Sequence, residues 1–241
     1  MASPSASVHY LILAYNEEQA LGPLIDELRR TAPPGEIVVV DDGSTDRTAD
    51  IAEERGAVVL RLPVNLGIGG AFQAGLLYAA RSGVKRLVRL DGDGQHDPAA
   101  VSALLDALDT GGADLVIGSR FLAESGGYRS TVTRRMGIRL ISALNRMVTG
   151  KRIHDCTSGF LAMSGSMIAY LADVVPDDYP EPELLVLASR AGFEVTEVAI
   201  RMRPRGGGES SIRLADSALY MLKVILAILV SATKKPKGQG K

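Results

Sequence analysis

"RLVRLDGDGQHDP", Arg86 to Pro98, runs from an apolar stretch into a turn that carries three carboxylates, an amide and an imidazole within seven residues, Asp91 to Asp97. Asp97-Pro98 reads as a helix N-cap followed by proline at the first helical position, and "PAAVSALLDALDTGG" supplies the helix. Strand, acidic turn and helix together are the unit of an α/β fold. A helix cap accounts for Asp97 but leaves Asp91 and Asp93 unexplained. Oxygen-rich clusters of this kind suit a hard divalent cation such as Mg²⁺ or Mn²⁺.

The same alternation repeats on both sides. "VHYLILA" is a first buried strand, and Glu17 to Arg30 follows as a helix with Leu21, Leu24, Ile25 and Leu28 on one face. "EIVVVDDG" is a second strand, and "STDRTADIAEERG" a capped helix with Gly56 just past its end. "AVVLRL" and "GGAFQAGLLYAARSG" form a third pair, and "DLVIGSRF" is a fifth strand. Continuous apolar strands alternating with helices predict a Rossmann-like, mainly parallel sheet flanked by helices. In such sheets ligands bind beyond the carboxyl ends of the strands. The polar clusters fall there: Asn16-Glu17, Asp41-Asp42, Asn65 and Asp91-Asp93 follow four successive strands.

The second half is less regular. Arg134 to Val148 reads as a helix that is basic on one side, "HDCTSGFLAMS" as a turn-rich connection, "PEPELLVLASRAG" as a helix and "FEVTEVAIRMR" as a strand. "PRGGGESS" is a glycine-rich loop ahead of "SALYMLKVILAILVSAT" (Ser217 to Thr233) and a lysine-rich tail. That apolar run is slightly short of the about 20 residues a spanning helix needs. It reads as a helix packed on the domain or lying at a membrane surface, with Lys234, Lys235 and Lys237 near anionic headgroups. The organisation is therefore one domain, 1–212, with an appendage, 213–241.

Composition removes several function classes. A net charge of −1 over 241 residues gives no basic field for nucleic acid. The single Cys156 and three scattered histidines supply neither a disulfide framework nor a Cys/His metal cluster. The N-terminus lacks a basic n-region, and cytosolic residence is the default. No G-x-x-x-x-G-K-[ST] occurs, and "GIGGAF" follows the third strand with Phe72 where a dinucleotide fingerprint wants Gly or Ala. "DGDGQHD" has His96 where a calcium loop wants Gly. No G-x-S-x-G elbow is present. An acidic α/β rim with a D-x-D turn remains, suited to a metal-diphosphate.

Seven segments in order then carry a resemblance: "AYNEE", "VVVDDGSTDRT", "NLGIGGAFQAG", "LDGDGQHDP", "VIGSRF", "DCTSGF" and "RGGGESS". Together they resemble the inverting family 2 glycosyltransferases of GT-A fold, above all the dolichol-phosphate-mannose synthase and polyprenyl-phosphate glycosyltransferase branch. The resemblance implies that Tyr15, Asn16 and Glu17 line a nucleotide pocket with Asn65 beside them, and that Asp42 contacts the base or ribose. It makes Asp91 and Asp93 the D-x-D carboxylates, projecting the same way by their alternate spacing, and Gln95 a further ligand to Mg²⁺ or Mn²⁺. His96 is read as a supporting residue. Arg120 matches the strand-five arginine, and Arg205 a basic loop residue that closes over the diphosphate. Glu183 falls where many members place a general base, with Glu181 two residues away.

Two departures bear on the acceptor. Leu161 replaces the arginine of T-S-G-F-R, and Ser210-Ser211 stands where S-K is common. Against that, Arg129, Arg134, Arg135, Arg139 and Arg146 lie in the stretch that borders the acceptor in relatives. The resemblance implies transfer of a hexose from a UDP- or GDP-linked sugar to polyprenyl phosphate at the inner face of the cell membrane, with peripheral membrane contact. A glycan or small-molecule hydroxyl acceptor is the alternative, and a non-catalytic nucleotide-sugar-binding protein a third reading. No nucleic-acid partner is expected, and self-association is left open.

Overall fold

β1 (Val8–Ala14) is buried at all seven positions, as a central strand covered on both faces must be. It pairs in parallel with β2 (Glu36–Asp41) and β4 (Arg86–Asp91), and β2 pairs in parallel with β3 (Val58–Arg61). The computed structural model describes residues 8–122, 132–174, 180–204, 225–227 and 230, with the backbone alone at 132–136, 138–139 and 180–182. Among these residues the sheet has seven strands in the order β3-β2-β1-β4-β6-β5-β7, including β5 (Leu115–Ser119), β6 (Leu161–Ser164) and β7 (Val195–Ala199). Only β6 runs antiparallel, inserted between β4 and β5. The sheet is therefore mainly parallel, as the alternation implied. The place of β6 is a correction, because "HDCTSGFLAMS" reads locally as a connection while its last four residues are a buried strand.

Helices α1 (Leu21–Thr31), α2 (Thr48–Glu54), α3 (Gly67–Ser82), α4 (Val101–Thr110), α5 (Val132–Thr149), α6 (Gly165–Val174) and α7 (Pro180–Arg190) cover both faces. One core joins Leu11, Leu13, Val38, Val40 and Leu87 to α3, α5, α6 and α7; the other joins Tyr10, Ile12, Val39, Val88 and Leu90 to α1 and α4. Leu21, Leu24, Ile25 and Leu28 are all buried on α1, each contributing about 1.5–3 kcal/mol. α1 starts four residues later than its periodicity suggests. Asn16 takes the left-handed φ of 54°, and the Glu17 carbonyl accepts from the Ala20 and Leu21 amides at 3.1 and 2.9 Å, so a turn precedes the helix. Asp97 is the cap expected, its carboxylate accepting from the Ala99 N–H at 3.0 Å. It opens a short 3₁₀ turn that leads into α4.

Among the described residues no helix is long and apolar enough to cross a membrane. The C-terminal helix expected from Ser217 to Thr233, the boundary at 212 and the lysine tail lie outside them, apart from residues 225–227 and 230. Arg129 lies outside as well.

Candidate active site

β4 ends at Asp91, on the rim where the parallel strands finish. Because the strand stops there, alternate spacing no longer makes Asp91 and Asp93 project alike; a turn sets Asp93 instead. Its Oδ1 accepts from the Gln95 amide at 3.0 Å, and Gly94 takes φ 74° to complete the turn. The Asp91 amide donates to His96 Nδ1 at 3.1 Å, which leaves the ring proton on Nε2, 3.7 Å from Asp91 Oδ2. His96 is buried and stacks on Phe160 at 4.9 Å. Burial holds its pKa below the ordinary histidine value, against the upward pull of Asp91 and Asp93. It supports Asp91 as a neutral ring.

The "DCTSGF" segment closes against this turn from the other side. A Cβ on Gly159 would lie 3.0 Å from Asp91 Oδ2 and 3.2 Å from Arg89 Nη2, so only glycine leaves the carboxylate its room. Asp155, fully buried, accepts from the Arg120 amide at 2.9 Å and from its Nε and Nη2 at 2.7 Å each. Glu197 on β7 accepts in turn from the amides of His154 and Asp155, both at 2.8 Å. Ser158 donates to the Gly118 carbonyl at 2.6 Å. Arg120, matched by the resemblance to the strand-five arginine, turns its bidentate fork to Asp155 in the interior. Through that pair it anchors the loop that delivers Gly159. Sequence reasoning missed Asp155 and Gly159 as site residues although both stood inside a quoted motif. The buried Cys156 thiol, pushed up to about 11 by desolvation, offers no thiolate.

On the β1–β2 side the expected nucleotide residues come together. Tyr15 is 42% exposed at the rim. Asn16 accepts from the Thr45 amide at 2.8 Å, and its own amide donates to Ser44 Oγ at 2.9 Å. The Glu17 amide donates to Thr48 Oγ1 at 2.8 Å, and the residue is buried. Asp42 accepts from the Leu66 and Gly67 amides at 2.7 and 2.9 Å, drawing the β3–α3 loop and its exposed Asn65 towards β2. Burial raises the Asp42 pKa despite those two bonds. Asn16, Glu17 and Asp42 thus each tie one strand-end loop to the next.

Gln95 Nε2 donates to the Arg203 carbonyl at 3.4 Å, while the Arg203 amide donates to the Gln95 carbonyl at 2.9 Å. Glu183 is buried in the first turns of α7. The side chain of Glu181, together with Arg205 and the glycines after it, lies outside the described residues. Among the described residues no group of three or more His, Cys, Asp or Glu could hold a metal by itself. Asp91 and Asp93 nevertheless fit a hard cation. Both offer carboxylate oxygens to a partly open rim, and Gly159 keeps the space in front of Asp91 clear. Further oxygen ligands from outside these two residues would complete such a shell.

The model of glycosyl transferase family 2 matches residues 10–172, about two-thirds of the chain. The chain belongs to glycosyl transferase family 2. Within that family it is 32% identical to the polyprenol monophosphomannose synthase of Mycolicibacterium smegmatis over 231 residues, covering 92% of this chain and 86% of the relative. It is 32% identical to the undecaprenyl-phosphate mannosyltransferase of Micrococcus luteus, covering 84% of this chain and 86% of that one. Among solved structures it is similar to glucosyl-3-phosphoglycerate synthase from Mycobacterium tuberculosis in complex with Mn²⁺, uridine-diphosphate-glucose and phosphoglyceric acid. That likeness has a TM-score of 0.74 at 25% identity, covering 97% of this chain and 82% of the other.

Proposed function

We propose that this glycosyltransferase moves a hexose from a nucleotide-diphosphate sugar to polyprenyl phosphate, with inversion at the anomeric carbon. The observation that carries the reading is the rim where Asp91 meets the side-chain-free Gly159 and runs into the Asp93 turn, beside the loops tied together by Asn16 and Asp42. The names of the sequence relatives support a lipid phosphate as acceptor. The Mn²⁺ and uridine-diphosphate-glucose in a structural neighbour support the donor class.

Tyr15, Asn16, Glu17, Asp42 and Asn65 hold the nucleoside, the amide and carboxylate oxygens accepting from base N–H and ribose hydroxyls and the Tyr15 phenol lying beside them. Asp91 and Asp93, with Gln95 as a further donor, hold Mg²⁺ or Mn²⁺, which when bound supplies Lewis-acid neutralisation of the diphosphate. The acceptor oxygen attacks the anomeric carbon from the face opposite the diphosphate, the sugar–phosphate bond breaks, and the nucleoside diphosphate departs. A phosphate acceptor arrives already anionic. Glu183 then contacts the sugar or orients α7 rather than removing a proton. Arg205 is assigned to the departing diphosphate, for which guanidinium geometry is suited. The protein works at the inner face of the membrane, with the segment from 213 bringing the rim to the lipid.

A hydroxyl acceptor is the second reading, favoured by the phosphoglyceric acid in the structural neighbour. Calorimetric titration of UDP and of GDP, each with and without Mn²⁺, tests the donor site on wild type and Asp93→Ala. Metal-dependent tightening that the variant loses is expected. Equal binding in both proteins, or none, overturns the site.

A further inference from the structure

Arg89 breaks the pattern of its strand. β4 reads RLVRLD, and the fourth residue is wholly buried on the face that otherwise holds Leu87 and the α3–α6 core. Its guanidinium lies over the Phe72 ring, 4.7 Å from the centroid, and Nη2 stands 3.4 Å from Asp91 Oδ1. Packing alone favours an apolar side chain at such a position, because taking a guanidinium out of water is costly. A residue that violates the local rule this close to a site is a candidate for work at that site.

We infer that Arg89 makes divalent-cation binding conditional on the nucleotide diphosphate, so that the rim takes up the metal-diphosphate rather than the free metal. The inference rests on the metal-diphosphate reading proposed above. Its physical basis is charge. Any cation ligated by Asp91 shares that carboxylate with a buried, permanently charged guanidinium. The guanidinium lowers the negative potential that Asp91 presents to a cation. With the positive charge buried, solvent screens its repulsion of a second cation poorly. The absence of a third acidic or imidazole donor among the described residues acts in the same direction. A diphosphate brings the missing negative charge and oxygen ligands, and metal binding then becomes favourable. Linkage requires the reciprocal effect, in which the metal tightens the nucleotide by the same factor.

Arg89 acts through Asp91 and is a positioning and charge-setting residue rather than a catalytic one. Its removal therefore has an unusual signature: a merely structural lesion weakens metal binding, whereas loss of this charge strengthens it. The test follows the free Mn²⁺ resonance signal during titration of wild type, Arg89→Met and Arg89→Gln, with and without saturating UDP or GDP, with melting curves to establish folding. Both neutral variants are expected to bind Mn²⁺ alone roughly tenfold more tightly than wild type or better. The enhancement by nucleotide should shrink by the same factor. Folded variants that bind free Mn²⁺ no better than wild type overturn the inference while leaving the donor site standing. If neither variant folds, wild type still decides: Mn²⁺ held as tightly without nucleotide as with it overturns the inference. Wild type that binds no nucleotide even with Mn²⁺ overturns the proposed function, and this inference with it.

Discussion

Gln95 and Arg203 lie 108 residues apart and are joined twice, by the Arg203 amide on the Gln95 carbonyl at 2.9 Å and by Gln95 Nε2 on the Arg203 carbonyl at 3.4 Å. The same arginine holds both oxygens of Glu27 on α1, at 2.6 and 2.9 Å, and reaches Asp97 Oδ1 at 2.7 Å. The acidic turn, the cap of the following helix turn and the chain at Arg203 are thereby one clamped unit.

This clamp has a pH signature. The Arg203 hydrogen bonds hold the Glu27 carboxyl below its ordinary value of 4.5, against a smaller upward effect of burial. A depressed carboxylate stabilises the fold above its unfolded pKa and loses that contribution as pH falls through its folded one. Glu27→Gln should therefore cost about 1 kcal/mol at neutral pH, a figure kept small by the pair's partial exposure. The difference in melting temperature from wild type should close as pH drops below about 4.5.

Gly159→Ala tests the room in front of Asp91. The added Cβ would meet Oδ2 at 3.0 Å and Arg89 Nη2 at 3.2 Å, so the carboxylate must shift by a few tenths of an ångström or more. Mn²⁺-dependent nucleotide affinity and transfer rate should each fall about tenfold, with the fold retained. Calorimetry and an initial-rate assay report the two effects.

The buried pair behind that loop is a stability element. Asp155→Ala leaves Arg120, 8% exposed, without its bidentate carboxylate. Such a loss should cost about 3 kcal/mol or more, seen as a melting temperature lowered by about 10 °C. The double variant Arg120→Met with Asp155→Ala should recover part of it.

The proposed donor side was legible because its residues stand at strand ends. Apolar runs such as VHYLILA and EIVVVD place Asn16, Asp41, Asp42 and Asp91 on one rim by periodicity alone. The rest depends on partners distant in the chain. β6 is four residues long and gains its identity from antiparallel pairing with β4 and β5, which no local pattern encodes. Arg120 carries a phosphate-binding chemistry in isolation, and only the fold shows Asp155 in its fork. Gly159 becomes informative once Asp91 is found opposite it. Asp42 likewise spends two hydrogen bonds on the β3–α3 loop, a role that residue type does not disclose.

Glu183→Gln separates the two acceptor classes. An anionic phosphate needs no base, so transfer to polyprenyl phosphate should persist within about tenfold of wild type. Transfer to a hydroxyl acceptor should fall by about a hundredfold or more. Paired initial rates with both acceptors read the difference.

Transfer of a sugar to a lipid phosphate can be followed directly. Purified full-length protein is incubated with Mn²⁺, polyprenyl phosphate in mixed micelles and UDP- or GDP-linked hexose, and the lipid fraction is analysed by mass spectrometry. A hexosyl polyprenyl phosphate that requires Mn²⁺ and disappears in Asp93→Ala is the expected product. Sugar transferred only to a soluble hydroxyl acceptor, with the lipid unmodified, would contradict it.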